Sequence, residues 1–86
     1  MEREQEPQDR RLIHTIWKSS KHQIQISLAR YRGRTFGDLR TFVLNQHGDW
    51  IPTQRGCTVD IDQLAELEEA VARLRDASAP TIHQPF

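Results

Sequence analysis

Tyr31-Arg32-Gly33-Arg34-Thr35-Phe36-Gly37-Asp38-Leu39-Arg40 joins the two strongest strand-like runs of an 86-residue chain. Just before it, Ile24, Ile26 and Leu28 alternate with Gln23, Gln25, Ser27 and Ala29, and a period of two marks a half-buried strand. The alternation predicts an apolar inner face and a polar outer one. Gly33 interrupts the pattern at a natural turn position. After it, residues 35–44 are rich in threonine, phenylalanine and valine, which suit a pleated surface. Gly37 within that run predicts a bulge or the close approach of another backbone. The stretch therefore reads as a hairpin: Tyr31 and two arginines, Arg32 and Arg34, surround the glycine turn, and the strand that follows carries a third, Arg40.

On the N-terminal side, residues 1–11 are polar throughout and are expected to form a disordered tail, because nothing there offsets the ordering entropy. Leu12, Ile13, Ile16 and Trp17 form a first apolar cluster, read as a lead-in segment packed against the core, and residues 19–22 form a turn. On the C-terminal side, residues 45–49 are a polar turn. Trp50-Ile51 is a short strand that Pro52 confines to an edge or an end. Residues 54–56 turn again, and Cys57-Thr58-Val59 make a last short strand. Asp60 is placed as a helix N-cap, with Gln63 completing a capping box and Asp62 complementing the helix dipole. The helix is expected to reach Asp76 or Ala77, with Pro80 beyond its end. A single domain is thus predicted over residues 12–77, four strands and then one helix, with a loose tail over 78–86.

The helix bears on assembly. Leu64, Leu67, Val71 and Leu74 make one apolar stripe, and Ile61, Ala65, Ala70 and Ala72 widen it past half the circumference. One small sheet cannot cover so much, but a second copy of the helix would. Glu68 and Arg75 fall inside the apolar arc. In an antiparallel helix pair with a two-fold axis near Val71, Glu68 of one chain would face Arg75 of the other; the alternative is two rim charges reaching solvent. Size points the same way, since a chain this short buries only about 60% of its unfolded surface. Cys57 is the only cysteine, so no internal disulfide staples the fold.

Net charge is zero, but its distribution is uneven. Residues 18–56 hold seven basic side chains against two acidic ones, whereas residues 57–86 hold six acidic against two basic. Such asymmetry is expected where one face meets phosphate and another does not. The four histidines lie far apart with no metal-ligand spacing. No phosphate-cradling glycine loop precedes a helix, and Asp62, Glu66, Glu69, Arg73 and Asp76 read as a solvated helix face. Neither catalysis nor a cofactor or metal is indicated. No apolar run approaches a membrane span or the core of a signal peptide, so a soluble, intracellular protein of the cytoplasm, nucleoid or nucleus is expected.

Binding a single nucleic-acid strand without reading its sequence needs cations spaced along a path and rings on which bases stack. Arg32, Arg34, Arg40 and Arg55 supply the charge. Tyr31 supplies a ring, and Phe36, Phe42 and Trp50 are further stacking candidates, each with core packing as its alternative.

The order Tyr31-Arg32-Gly33-Arg34, Asp38-Leu39-Arg40, Gly48-Asp49-Trp50-Ile51-Pro52 and Arg55-Gly56, followed by one amphipathic helix, resembles the positive cofactor 4 family of transcriptional coactivators over roughly residues 16–74. The resemblance implies an α+β fold, a four-stranded curved antiparallel sheet followed by one C-terminal helix, homodimerising through that helix. It implies binding of single-stranded DNA or melted duplex in channels lined by the sheets. Tyr31 would occupy the base-stacking position and Arg32, Arg34, Arg40 and Arg55 the basic ones, with Trp50 as a partial substitute for a second ring. The dimer interface would hold Leu64, Leu67, Glu68, Val71, Leu74 and Arg75, and the transcription machinery would be a further partner. Val43 stands where the family commonly has a large aromatic, and Ile51 and Gln54 where it often has a base. These departures keep an alternative open beside the single-stranded DNA reading, a dimeric interaction module with weakened nucleic-acid binding. A single-stranded RNA binder is a third reading, since no feature here reads a 2′-hydroxyl.

Overall fold

The structure, a computed structural model, describes residues 9–78. Four strands follow one another: β1 (Asp9–Ser19), β2 (His22–Tyr31), β3 (Arg34–Leu44) and β4 (Trp50–Asp60). A 3-10 turn at Ile61–Gln63 then leads into one helix, α1 (Leu64–Ser78). The strands pair in sequence order as one antiparallel sheet. Tight turns make this possible. Arg32 and Gly33 adopt φ of 54° and 79° between β2 and β3. Between β3 and β4 the Asn45 carboxamide oxygen accepts the N–H groups of His47 and Asp49 at 2.7 and 2.9 Å, an Asx turn.

The fold class is the expected one, four strands and a helix, yet two of the strands differ from those the pattern suggested. The apolar lead-in segment is itself a full edge strand, β1. It begins at Asp9, inside the expected tail; the rest of that tail, residues 1–8, lies outside the described residues. The two short strands predicted at residues 50–51 and 57–59 are one continuous strand, β4. Pro52 is tolerated because β4 is an edge, and the extra residues between Pro52 and Gly56 are taken up in an irregularity opposite Arg40–Phe42. The predicted turn at residues 54–56 is that irregularity. The helix extends to Ser78, and the remainder of the expected C-terminal tail lies outside the described residues.

Helix initiation follows the capping signal. The Asp60 N–H donates to Gln63 Oε1 at 3.4 Å, and the Asp60 backbone is extended. Gly37 marks a close approach, as expected. A Cβ there would lie 3.6 Å from Leu64 Cδ2, so the start of the helix rests on β3.

Pairing aligns side chains in rows across one face of the sheet: Arg10, Ala29, Phe36 and Asp60; Leu12, Ser27, Asp38 and Thr58; Trp17, Gln23, Phe42 and Pro52. This face is concave. In a flat sheet the outer strands β1 and β4 would stand about 14 Å apart, three spacings of about 4.8 Å. Instead Trp17 of β1 meets Trp50 of β4, with ring centroids 5.4 Å apart. Curling encloses the face, so Gln23, Ser27, Ala29, Asp38 and Phe42 are the buried side chains among the described residues. The predicted polar outer face of β2 is thus its more enclosed face. Ile24, Ile26 and Leu28 on the other side are only half-buried.

On that other side an open groove of about 880 Å³ separates sheet from helix, lined by Ile13, Ile26, Leu39, Leu64, Leu67 and Val71 among others. No residue of α1 is buried. The radius of gyration, 15.9 Å, exceeds the roughly 11–12 Å of a compact chain of 70–86 residues. The described residues have a thin core and a helix that stands partly clear of it.

Candidate nucleic-acid interface

At the centre of the concave face lies Asp38, its side chain 3% exposed. A buried carboxylate is costly unless paired and hydrogen-bonded, and Asp38 is held from two sides. Arg10 Nη2 of β1 donates to Oδ2 at 2.6 Å. Arg40 of β3 donates from Nη2 to Oδ1 at 3.1 Å and from Nε to Oδ2 at 3.4 Å, and its Nη1 reaches the Thr53 carbonyl of β4 at 3.0 Å. Arg10 thus ties β1 to the anion directly, and Arg40 links the anion to β4. Two cations against one carboxylate leave the cluster net positive. The two arginine side chains are 31% and 23% exposed; Arg10 is held through Nη2, whereas Arg40 uses Nε, Nη1 and Nη2 within the cluster and meets a phosphate by sharing those groups. Arg10 also lies over the Phe42 ring, 6.0 Å from its centroid, a cation–π distance.

Tyr31, Arg32 and Arg34 gather at the β2–β3 turn. The Arg32 guanidinium lies 5.3 Å from the Tyr31 ring centroid, which leaves that hairpin end both cationic and aromatic. Arg34 donates to Asp60 Oδ1 at 2.8 Å. Both members of that pair are well exposed, and such pairs contribute roughly 0–1 kcal/mol, a hold that a phosphate can displace.

Trp50 sits at the opposite end. It pairs with Leu44, whose N–H donates to the Lys21 carbonyl at 3.0 Å. From Arg34 to Leu44 the strand advances about 33 Å at about 3.3 Å per residue. Arg55 lies between the ends on β4, exposed, its N–H bonded to Thr53 Oγ1 at 3.1 Å. The six residues singled out from sequence are thus not one pocket. They fall along the sheet, with Tyr31, Arg32 and Arg34 at one end, Arg40 and Arg55 in the middle and Trp50 at the other.

Three members of this face escaped sequence reasoning. Arg10 was read as tail, Asp38 was counted as one of two acids in a basic stretch and given no contact role, and Trp17 was read as part of a lead-in segment packed against the core, although it is 62% exposed. The only sequence signal was the i, i+2 spacing of Asp38 and Arg40, which puts both on one strand face. Of the expected dimer residues, Leu64, Leu67, Glu68, Val71 and Arg75 all line the helix-side groove, and Leu74 is exposed beyond it. Among the described residues no group of three or more His, Cys, Asp or Glu could hold a metal ion, and no helix is long and apolar enough to cross a membrane.

Residues 17–70 match the model of the transcriptional coactivator p15 (PC4) family. Among solved structures, the chain is similar to a PC4 homologue from Burkholderia pseudomallei. It is 30% identical to that protein with a TM-score of 0.73, covering 77% of this chain and 97% of that one in a tetragonal crystal form and 78% and 90% in an orthorhombic form. It also shares its fold with a bacteriophage T5 homologue of PC4 described as implicated in recombination-dependent DNA replication, at 20% identity and a TM-score of 0.68, covering 84% and 83% of the two chains. No curated protein matches it. With 54 consecutive residues matched, well over half of its length, the chain belongs to the transcriptional coactivator p15 (PC4) family.

Proposed function

We propose that this protein is a homodimeric binder of single-stranded DNA with little sequence preference, acting on unwound DNA inside the cell as a coactivator or regulator of transcription. One observation carries the reading. A concave sheet face, in a chain of a coactivator family, carries rings at both ends and guanidiniums between them, which is the arrangement a stacked, flexible polyanion requires. Tyr31 stacks a base, Arg32 and Arg34 meet phosphates at the hairpin, and Arg40 and Arg55 continue the track toward Trp50. Rings and guanidiniums suit base faces and phosphates and not base edges, so selectivity is for strand state and not for sequence.

Homodimerisation is the second half of the proposal. Leu64, Leu67 and Val71 face a groove that their own sheet leaves open, and a second copy of α1 fills it. Glu68 and Arg75 both line that groove, which suits a two-fold pairing of Glu68 with Arg75 of the other copy. The pairing of Arg34 with Asp60 and of Arg40 with Asp38 supports a rival reading, an interaction module whose cations are spent internally. Fluorescence anisotropy with a labelled oligo-dT of about 20 nucleotides, a length to bridge two subunits, a duplex of equal length and the matching RNA separates the cases. Tight binding of oligo-dT with the duplex much weaker is expected. Equal, weak binding to all three would support the interaction module, and preference for the RNA would reassign the ligand.

A further inference from the structure

Resting on the single-strand reading above, we propose that Trp17 and Trp50 form a base-stacking clamp at the far end of the concave face, with Trp17 as the ring that receives the base. The two tryptophans come from opposite edges of the sheet and meet only because the sheet curls. Their centroids are 5.4 Å apart and their planes lie at 81°. An edge-to-face contact leaves ring surface uncovered, unlike a parallel stack that would occupy a face of each ring. Trp17 is largely exposed while Trp50 is half-buried. Trp50 therefore braces, and Trp17 presents.

The setting fits an unpaired base better than a protein surface. Trp17 stands in a row with Gln23 and Phe42, both buried, so a ring stacked on it would cap an enclosed floor. Of the other exposed apolar residues of β1, Leu12 shares the concave face but stands in the row of Ser27 and Asp38, away from this end, and the remaining two belong elsewhere. Ile13 lines the helix-side groove, and Ile16 pairs with Ile24 on the face away from Gln23. Trp17 is thus the well-exposed ring at this end of the concave side, with Phe42 buried beside it and Trp50 half-buried. In the segments forming this end, residues 17–22 and 44–50, Lys18 and Lys21 stand against Asp49, a balance suited to a phosphate chain. A ring already held by its neighbour loses little side-chain freedom on binding. With Tyr31 at the other end, the face gains a stacking group at each terminus and cations between them.

The test uses the full chain and two oligonucleotides, oligo-dT and one of equal length carrying abasic sites. Trp17→Ala is expected to weaken oligo-dT binding roughly 5- to 150-fold, the range of one base–aromatic stack, while Trp17→Phe keeps most of the affinity. Neither substitution should change the salt dependence or the binding of the abasic strand. In Trp50→Phe, where Trp17 is the sole tryptophan, oligo-dT should quench the intrinsic fluorescence and the abasic strand should not. If the wild type binds oligo-dT and Trp17→Ala binds it equally well without quenching in Trp50→Phe, the clamp is refuted and the single-strand reading stands. A change in oligomeric mass with unchanged DNA affinity would make Trp17 a protein contact and refute it too. Failure of the wild type to bind any single strand overturns both.

Discussion

On the concave face of the sheet the buried side chains are mostly polar, Gln23, Ser27 and Asp38, whereas the helix side carries Ile26, Leu28, Leu39 and Leu64 and leaves them only half-covered. The usual relation of polarity to burial is inverted within one small sheet. The concave face tolerates burial because its central charge is satisfied locally, with Asp38 gripped by Arg10 and Arg40. The apolar side has no comparable closure, and in our proposal a second copy supplies it. One face is thus internally complete and still cationic at its rim; the other leaves apolar surface that its own chain does not cover.

Substitutions should separate the two faces. The largest effect is expected at Gly56, where β4 crosses Arg40. A Cβ there would lie 2.4 Å from the Leu39 carbonyl oxygen and 2.8 Å from Arg40 Cα, a backbone clash that no rotamer relieves. Gly56→Ala should cost roughly 3 kcal/mol, the upper end for overpacking, seen as a lower urea midpoint, and it should reduce DNA affinity with it.

Next is Asp38→Asn, which leaves two guanidiniums around a neutral amide. Breaking a fully buried pair costs about 3–5 kcal/mol; because Arg10 and Arg40 keep some access to water, about 2 kcal/mol is expected here by urea denaturation. The helix-side groove should be untouched, so the dimer dissociation constant, extrapolated to native conditions, should stay put.

Glu68→Arg should do the reverse. It places like charges opposite each other across the proposed two-fold and should weaken the dimer several-fold to about tenfold by analytical ultracentrifugation, with Glu68→Arg/Arg75→Glu recovering most of the loss. A dimer as stable in Glu68→Arg as in the wild type would break the pairing.

How much of this was legible in the sequence depended on how each element is buried. The β2–β3 hairpin was readable because Ile24, Ile26 and Leu28 alternate cleanly and Gly33 takes a positive φ. β1 was not, because an exposed edge strand needs no buried face and Asp9–Arg11 carries no apolar pattern. β4 was read as two pieces because Pro52 and Gly56 look like breakers, while on an edge beside Arg40 the proline is harmless and the glycine is required. The hairpin arginines were evident from spacing alone. The Arg10–Asp38 contact spans 28 residues, and the Trp17–Trp50 contact depends on curvature, so neither leaves a local trace. Which face would be enclosed was misjudged for the same reason, since curl is a property of the whole sheet.

The most direct test of the cationic concave face is the salt dependence of oligo-dT binding. Each phosphate neutralised on a single strand contributes about −0.7 to the slope of log K against log salt, so four arginines per bound segment predict a slope near −3. Arg32→Ala with Arg40→Ala should bring it to about −1.5. A wild-type slope near zero, or one that the double substitution leaves unchanged, would contradict the path described here.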